Sequence, residues 1–299
     1  SACSTAAAPS LAVPTTGRWF AAGSDDHTLR CWDLGAGTLT ATIPFYSRHI
    51  TSCSAAPDGS ILAAGFHDGS IRIYRMPAGD LLREFKGHKK TVTSCTLAPD
   101  GNRLATVSWD GTTRLWRVPG GEIIRTIDAH AGGIAALAGP AGTLVAAVTE
   151  DGIARVIDAA DGTTVRTLDL YTPSVRAAAM SPDGMYLAST GADSSLRIWN
   201  IRDGSLAAAA DRLPSSQRCS TFVPDGSVLV SGGWDGSCRF FRMPDAVPLR
   251  TLAGHTSIVT CCTVSRDGTL LVTGSNDTTV RLWYIAENEA YEVLPDSRS

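Results

Sequence analysis

The sequence predicts an all-β fold: a seven-bladed β-propeller of four-stranded antiparallel blades. Three observations lead there. A large apolar position returns seven times, as Trp32, Tyr74, Trp116, Ile157, Trp199, Phe241 and Trp283, at spacings of 42, 42, 41, 42, 42 and 42 residues. Each return carries Arg two residues earlier (Arg30, Arg72, Arg114, Arg155, Arg197, Arg239, Arg281) and Asp six earlier (Asp26, Asp68, Asp110, Asp151, Asp193, Asp235, Asp277). Turn chemistry recurs about every ten residues, which suits short antiparallel strands. A fixed period of this length marks a repeat architecture, and here it fills the chain. One small sheet cannot cover both of its faces, so each must lean on its neighbours, and seven close into a ring.

Repeat 3 shows the elements in order. Thr91–Leu97 reads as strand a, Arg103–Ser108 as strand b, Thr113–Val118 as strand c and Glu122–Ile127 as strand d. Pro99-Asp100-Gly101 separates a from b, Asp110-Gly111 separates b from c, and Pro119-Gly120-Gly121 separates c from d. Pro and Gly supply the dihedrals that such turns need. The a–b turn returns as Pro57-Asp58-Gly59, Pro182-Asp183-Gly184, Pro224-Asp225-Gly226 and Arg266-Asp267-Gly268. The same alignment divides residues 1–299 as a single propeller domain into blades at about 4–43, 46–85, 88–127, 130–168, 171–211, 213–252 and 255–294, with 295–299 as a tail. Residues 4–13 align with strand a of the later repeats, and Glu289–Leu294 aligns with strand d of blade 6 and so supplies strand d of blade 7. The ring is therefore expected to close without a swapped strand.

Composition removes several alternatives. The formal net charge of −3 gives no general attraction to nucleic acid or an anionic membrane. Ser1–Pro14 lacks the basic start of a targeting segment. The most apolar run, 132–148, is too short to span a membrane and is broken by Gly139-Pro140-Ala141-Gly142. None of the eight cysteines forms a C-x-x-C pair, so no metal or other cofactor is expected. Cys53, Cys95 and Cys262 share one repeat position with Ala136, Ala178, Ser220 and Leu11, which reads as a tight packing site. Free thiols suit a reducing compartment, and the expected location is intracellular and cytoplasmic.

At this point the chain resembles the WD40-repeat (WD-repeat) proteins of the seven-bladed kind, such as the beta subunits of heterotrimeric G proteins. The resemblance rests on Gly87-His88 … Asp110 … Arg114 … Trp116 and on Gly254-His255 … Asp277 … Arg281 … Trp283. It implies a buried hydrogen-bonded tetrad in each good blade: His before strand a, Ser or Thr on strand b, Asp in the b–c turn and Trp on strand c. Blades 3 and 7 are complete, with His88, Ser108, Asp110 and Trp116, and with His255, Ser275, Asp277 and Trp283. Blade 1 has Ser4 at the His position beside Ser24, Asp26 and Trp32. Blade 2 has Tyr46, Phe66 and Tyr74 around Asp68. Blade 4 has His130, Thr149 and Asp151 but Ile157. Blade 5 has Tyr171 and Gly191, and blade 6 has Leu213, Gly233 and Phe241, which leaves the networks of blades 2, 5 and 6 incomplete.

The Ser, His and Asp of blades 3 and 7 invite a catalytic triad, but the group repeats with the blade and ends on Trp, so it reads as a structural network. A propeller enzyme would present carboxylates or metal ligands on its inner strands. His49–Ala55, Thr91–Leu97, Gly133–Ala138, Ser174–Met180, Ser216–Phe222 and Ile258–Val264 contain no Asp or Glu. No acid/base pair or hard-cation cage follows, and no catalytic residue is expected. The seven repeated Arg residues share a strand face with the aromatic position and are expected to be structural, with stems packed between blades and heads on carboxylates or water.

The resemblance also implies that partners touch the residue just before the tetrad Asp, namely Asp25, His67, Trp109, Glu150, Ala192, Trp234 and Asn276. Residues three and five after the His position add His49, Arg176, Arg218 and Ile258. Trp and Arg are the types that most often dominate interface energy. The expected binding set is Trp109, Trp234, Arg176, Arg218, His67 and His49. Arg176, Arg218 and Trp234 fall in adjacent blades 5 and 6, which favours an acidic or phosphorylated segment. The expected function is a non-catalytic scaffold for other proteins or peptide segments, a monomeric propeller inside a larger assembly. The alternative rests on Trp199-Asn200-Ile201-Arg202, which resembles the W-D-x-R box of substrate receptors of cullin-RING ubiquitin ligases, with Asn200 departing from the acid.

Overall fold

In a computed structural model the described residues are 10–14, 16–45, 49–128, 133–138, 143–149, 152–170 and 174–285, with backbone alone for 133–138. They form seven antiparallel sheets and no helix, hence none long and apolar enough to cross a membrane. Six sheets have four strands in sequential order, and the seventh shows three: Val259–Val264, Leu270–Ser275 and Val280–Tyr284. The inner strands are Ser10–Ala12, Ile50–Ala55, Val92–Leu97, Gly133–Ala138, Val175–Met180, Gln217–Phe222 and Val259–Val264. Each touches the inner strand of the next blade, and the last touches the first, so the ring is closed. Ser10–Ala12 pairs with Trp19–Ser24 as the inner strand of blade 1. The outer-strand reading of Glu289–Leu294 lies outside the described residues, as do Ser4, Tyr46, His130, Glu150, Asp151 and Tyr171.

Apolar packing lies between blades. Each of seven buried clusters draws on two neighbouring blades, one cluster for each seam. The closing seam joins Leu11, Phe20, Ala22 and Trp32 of blade 1 to Val272 and Val280 of blade 7. Between blades 2 and 3, Ile71, Ile73 and Phe85 meet Val92, Leu104 and Trp116. Burying these faces supplies the driving force for closure at about 25 cal/mol per Å² of apolar area.

The polar network of blades 3 and 7 runs as a chain of donors. In blade 7 the Trp283 indole Nε1 donates to Thr273 Oγ1 at 2.8 Å. Thr273 Oγ1 lies 2.8 Å from His255 Nε2, and His255 Nδ1 lies 2.8 Å from Asp277 Oδ2. The Thr256 amide, at 3.0 Å, and the Thr279 amide and hydroxyl, at 2.9 and 2.6 Å, complete the carboxylate's shell. Blade 3 repeats this with Trp116, Thr106, His88 and Asp110, at 2.8, 2.7 and 3.0 Å along the chain. Burial lowers both imidazoles, outweighing the pull of the neighbouring aspartates. They are therefore neutral, with Nδ1 donating to the carboxylate and Nε2 accepting from threonine.

The strand-b hydroxyl of the tetrad differs from the one expected. Thr106 and Thr273, not Ser108 and Ser275, bridge His to Trp. Residues two apart share a strand face, so both hydroxyls point the same way, but the serines sit at the strand's end. Ser108 Oγ donates to the Lys90 carbonyl at 3.0 Å and accepts the Asp110 amide at 3.1 Å; Ser275 does the same with Ser257 and Asp277, at 3.1 and 3.0 Å. They start the b–c turn. The equivalent tetrad positions are Ala22, Ala64, Ala147, Ser189 and Ser231. Blade 5 thus keeps an indole-to-hydroxyl bond, Trp199 Nε1 to Ser189 Oγ at 3.1 Å. In blade 6, Phe241 has no N–H, and Ser231 donates instead to Gln217 Oε1 at 3.0 Å. In blade 1, Ala22 offers nothing, and Trp32 Nε1 is buried without a hydrogen-bond partner.

The repeated arginines take over where His is missing. Arg30 meets Asp26 at 2.7 Å, Arg197 meets Asp193 at 3.3 Å, and Arg239 meets Asp235 with both Nη atoms. Burial would raise the Asp235 carboxyl, but Arg239 and Ser237 outweigh it and hold it at about 2. Blade 2 departs from this: Arg72 pairs with Glu84 at 3.2 Å and lies over the Phe66 ring.

Two outcomes follow. Thr106→Val removes the group that both Trp116 and His88 use. It should cost about 1–3 kcal/mol by leaving buried partners unpaired, and Ser108→Ala should cost less. Urea unfolding of the two variants ranks them, and the reverse order would contradict the assignment. The second outcome is acid sensitivity. Burial raises the Asp277 carboxyl, but Thr279, Thr256 and His255 outweigh it and bring it from 3.8 to about 2. His255 is lowered from 6.5. Both groups have folded values below unfolded ones, so their stabilisation is complete above the unfolded values and is lost as pH falls. Urea midpoints should drop first below about pH 6.5 as the unfolded histidines take up protons. They should then drop steeply from about pH 4 towards 2, and Asp110→Asn with Asp277→Asn should flatten this second fall.

Candidate functional site

The face carrying the b–c turns and the blade-to-blade loops is here called the top. Its geometry is set by two repeated local devices. The first is the residue after the tetrad Asp in the b–c turn. It has positive φ in every blade, 64° at His27, 84° at Gly69, 85° at Gly111, 86° at Gly152, 60° at Ser194, 78° at Gly236 and 71° at Thr278. Glycine suits this left-handed position, and blade 1 places an imidazole there instead.

The second device is a bulge near the top of the inner strand. Register with strand b skips one residue at Thr51, Thr93, Arg176, Arg218 and Thr260. A bulge leaves its extra residue outside the ladder. In blades 2, 3 and 7 that residue is threonine, and its hydroxyl donates to a strand-b carbonyl: Thr51 to Gly65 at 3.0 Å, Thr93 to Val107 at 3.1 Å and Thr260 to Gly274 at 3.1 Å. In blades 5 and 6 it is arginine, and both Arg176 and Arg218 are exposed.

The expected binding residues fall into two groups on opposite sides of the channel mouth. In blades 1–3, His49, His67 and Trp109 form one ladder, extended by His27. Ring centroids stand 4.2 Å apart for His27 and His49, 6.3 Å for His49 and His67, and 6.0 Å for His67 and Trp109, all edge-on. The Trp109 amide donates to the Thr91 carbonyl at 3.0 Å, and Trp109 is 47% exposed. Exposed Lys89 and Lys90 flank the same loop. His27 was not among the expected residues; the signal for it was a bulky side chain at a turn position held by Gly in four other blades.

In blades 5 and 6, Arg176 and Arg218 occupy neighbouring inner strands. Trp234 is 49% exposed, and its amide donates at 3.0 Å to the carbonyl of Ser216, two residues before Arg218. The tetrad carboxylates of these blades, Asp193 and Asp235, are already held by Arg197 and Arg239. Among the described residues no carboxylate pairs with Arg176 or Arg218. Asn200 and Arg202 lie elsewhere, at the end of strand Leu196–Asn200 and in the turn that follows, where the Arg202 amide donates to Asn200 Oδ1 at 2.9 Å. No group of three or more metal-ligating side chains converges among the described residues.

A family profile described as WD domain, G-beta repeat matches residues 5–33, 37–75, 79–117, 162–200, 214–242 and 246–284. Most of these segments begin in or beside the outer strand of one blade and end with the third strand of the next. Together they cover most of the chain. The longest unmatched stretch, 118–161, holds the first three strands of blade 4, where Ile157 replaces the aromatic residue and Ala147 the hydroxyl. No curated protein matches the chain. Propellers of this kind are generally non-catalytic and bind other proteins. With six matched repeats on a closed ring of seven sheets, the chain belongs to the WD40 family.

Proposed function

We propose that this protein is a non-catalytic scaffold whose top face, in the sector of blades 5 and 6, captures an acidic or phosphorylated segment of another protein. The observation that carries the reading is the bulge substitution. Where three other blades use threonine to satisfy a carbonyl, Arg176 and Arg218 are exposed on neighbouring inner strands. A guanidinium offers a planar fork of donors that matches carboxylate or phosphate oxygens. Trp234 beside them supplies the apolar anchor that such an interface needs to exclude water. The inner strands carry no Asp or Glu to repel an anion or to serve as acid and base, which supports binding over catalysis. The free thiols favour a reducing, cytoplasmic setting.

The test is a library of acidic and phosphoserine peptides, probed with wild type and with Arg176→Glu plus Arg218→Glu. Removing each charge-assisted hydrogen bond should weaken binding about tenfold or more, and affinity should fall as salt rises because the site is at the surface. Both side chains are exposed, so thermal melts should stay close to wild type. Unchanged peptide capture by a folded double variant would remove the reading. Trp234→Ala should also weaken capture but leave its salt dependence intact.

A further inference from the structure

Neighbouring inner strands meet along a diagonal. Ser10 of blade 1 bears on Cys53 of blade 2: the Ser10 hydroxyl lies 3.0 Å from Cys53 Sγ and accepts the Cys53 amide at 2.6 Å. Ser10 pairs with Gly23 of its own strand b, whereas Cys53 pairs with Ala64, one register step further from the top. The next level down obeys the same rule, with the Leu97 amide of blade 3 donating to Ser54 Oγ of blade 2 at 3.0 Å. At the Ser10–Cys53 crossing the γ-atoms of adjacent blades are therefore in direct contact.

Following the Ser10 level around the ring gives Ser10 against Cys53, Ser52 against Cys95, Ala177 against Ser220, Cys219 against Cys262 and Cys261 against Leu11. At this level, among the described seams, only that between blades 6 and 7 places cysteine on both sides; Cys31 and Cys53 share the blade 1–blade 2 seam but stand on a c strand and an inner strand. Cys219 pairs with Gly232 and Cys262 with Thr273, which is the Ser10–Cys53 relation again. The Cys219 thiol reaches across the seam to donate to the Val259 carbonyl at 3.7 Å, and both thiols pack on the apolar cluster of that seam. Each is only half-buried, unlike the buried Cys53 and Cys95.

We propose that Cys219 and Cys262 are a modification site for peroxide, forming a disulfide that staples the inner strands of blades 6 and 7. In the reaction with hydrogen peroxide two S–H bonds and one O–O bond break, one S–S bond forms, and two waters leave. Two electrons pass from the sulfurs to the peroxide oxygens. The neighbouring Cys262 thiol, together with burial, pushes the Cys219 thiol well up, so its thiolate is scarce at neutral pH. The pair thus stays reduced until peroxide is supplied, and its oxidation quickens as pH rises. The bridge closes a loop of some forty residues and fixes the strand that carries Arg218. This site stands on seam geometry and does not depend on the acidic-segment reading.

Peptide mapping after hydrogen peroxide treatment of the whole protein tests it. Trypsin releases Cys219 within residues 219–239 and Cys262 within 251–266, and each peptide holds a second cysteine, Cys238 or Cys261. The expected result is an intramolecular cross-link between these peptides, two hydrogens lighter than their sum. It should persist in Cys261→Ser and Cys238→Ser and vanish in Cys219→Ser and Cys262→Ser. The oxidised wild type should melt about 5 °C above the reduced form. Absence of the cross-link in folded wild type, its survival in Cys262→Ser, or its appearance only between molecules would overturn the assignment.

Discussion

The structure depends on one constraint: no blade can bury its own faces. A four-stranded sheet of short strands has two apolar sides and almost no thickness, so its neighbours must supply the missing packing. All seven seams meet this need with a cluster built from two blades, and the blade 7–blade 1 seam turns a stack into a ring. Closure also disposes of two exposed sheet faces that an open stack would leave to water. The constraint acts on whole faces rather than on particular residues, so individual blades can lose much of their signature and still hold their place.

The polar networks show how far that tolerance extends. Blades 3 and 7 run a complete chain from indole to carboxylate. Blades 1, 5 and 6 keep the Asp, but an arginine from strand c holds it. The Arg takes the carboxylate oxygen, Oδ2, that His takes in blades 3 and 7, so the turn stays pinned although the interior bonds differ. Blade 1 goes furthest. Ala22 gives its indole no acceptor, and the loss is offset by Phe20 stacked on Trp32 at 4.7 Å with rings 12° apart. Blade 4 keeps Ile157 fully buried and relies on apolar packing with Leu115 and Val145. Seam burial is therefore the common requirement, and the tetrad is one of several ways to tie a b–c turn to its blade.

This division explains what could be read from the chain alone. The period of the aromatic, Arg and Asp positions reports seam packing and turn closure, which every blade needs, so the fold was legible throughout. The tetrad hydroxyl was misplaced by two residues because Thr106 and Ser108 lie on the same strand face, and only the reach of the Trp116 indole separates them. The same offset hid Ser189 and Ser231, whose blades looked poorer in hydroxyls than they are. At the top face, residue types were visible but their grouping was not. His49, His67 and Trp109 join through His27, whose place depends on a left-handed turn dihedral that a repeat alignment does not display. The bulge that singles out Arg176 and Arg218 is likewise a matter of register, invisible until strands a and b are paired.

That bulge shows how a ring of near-identical parts becomes directional. At the top of the inner strand the bulged residue is outside the ladder, and where it is threonine its hydroxyl ties the strand to a neighbouring carbonyl. Exchanging Thr for Arg there gives up hydroxyl bonds worth about 1 kcal/mol each and leaves the apolar cluster below in place. The same exchange one residue later, at the level of Cys219, would drive a charge into the cluster shared by blades 6 and 7. Positions relieved of packing are thus where one sector can come to differ from another. In this chain they carry a pair of cations on one side of the channel mouth and an aromatic and imidazole ladder on the other, and the seams beneath hold both sides in fixed relation.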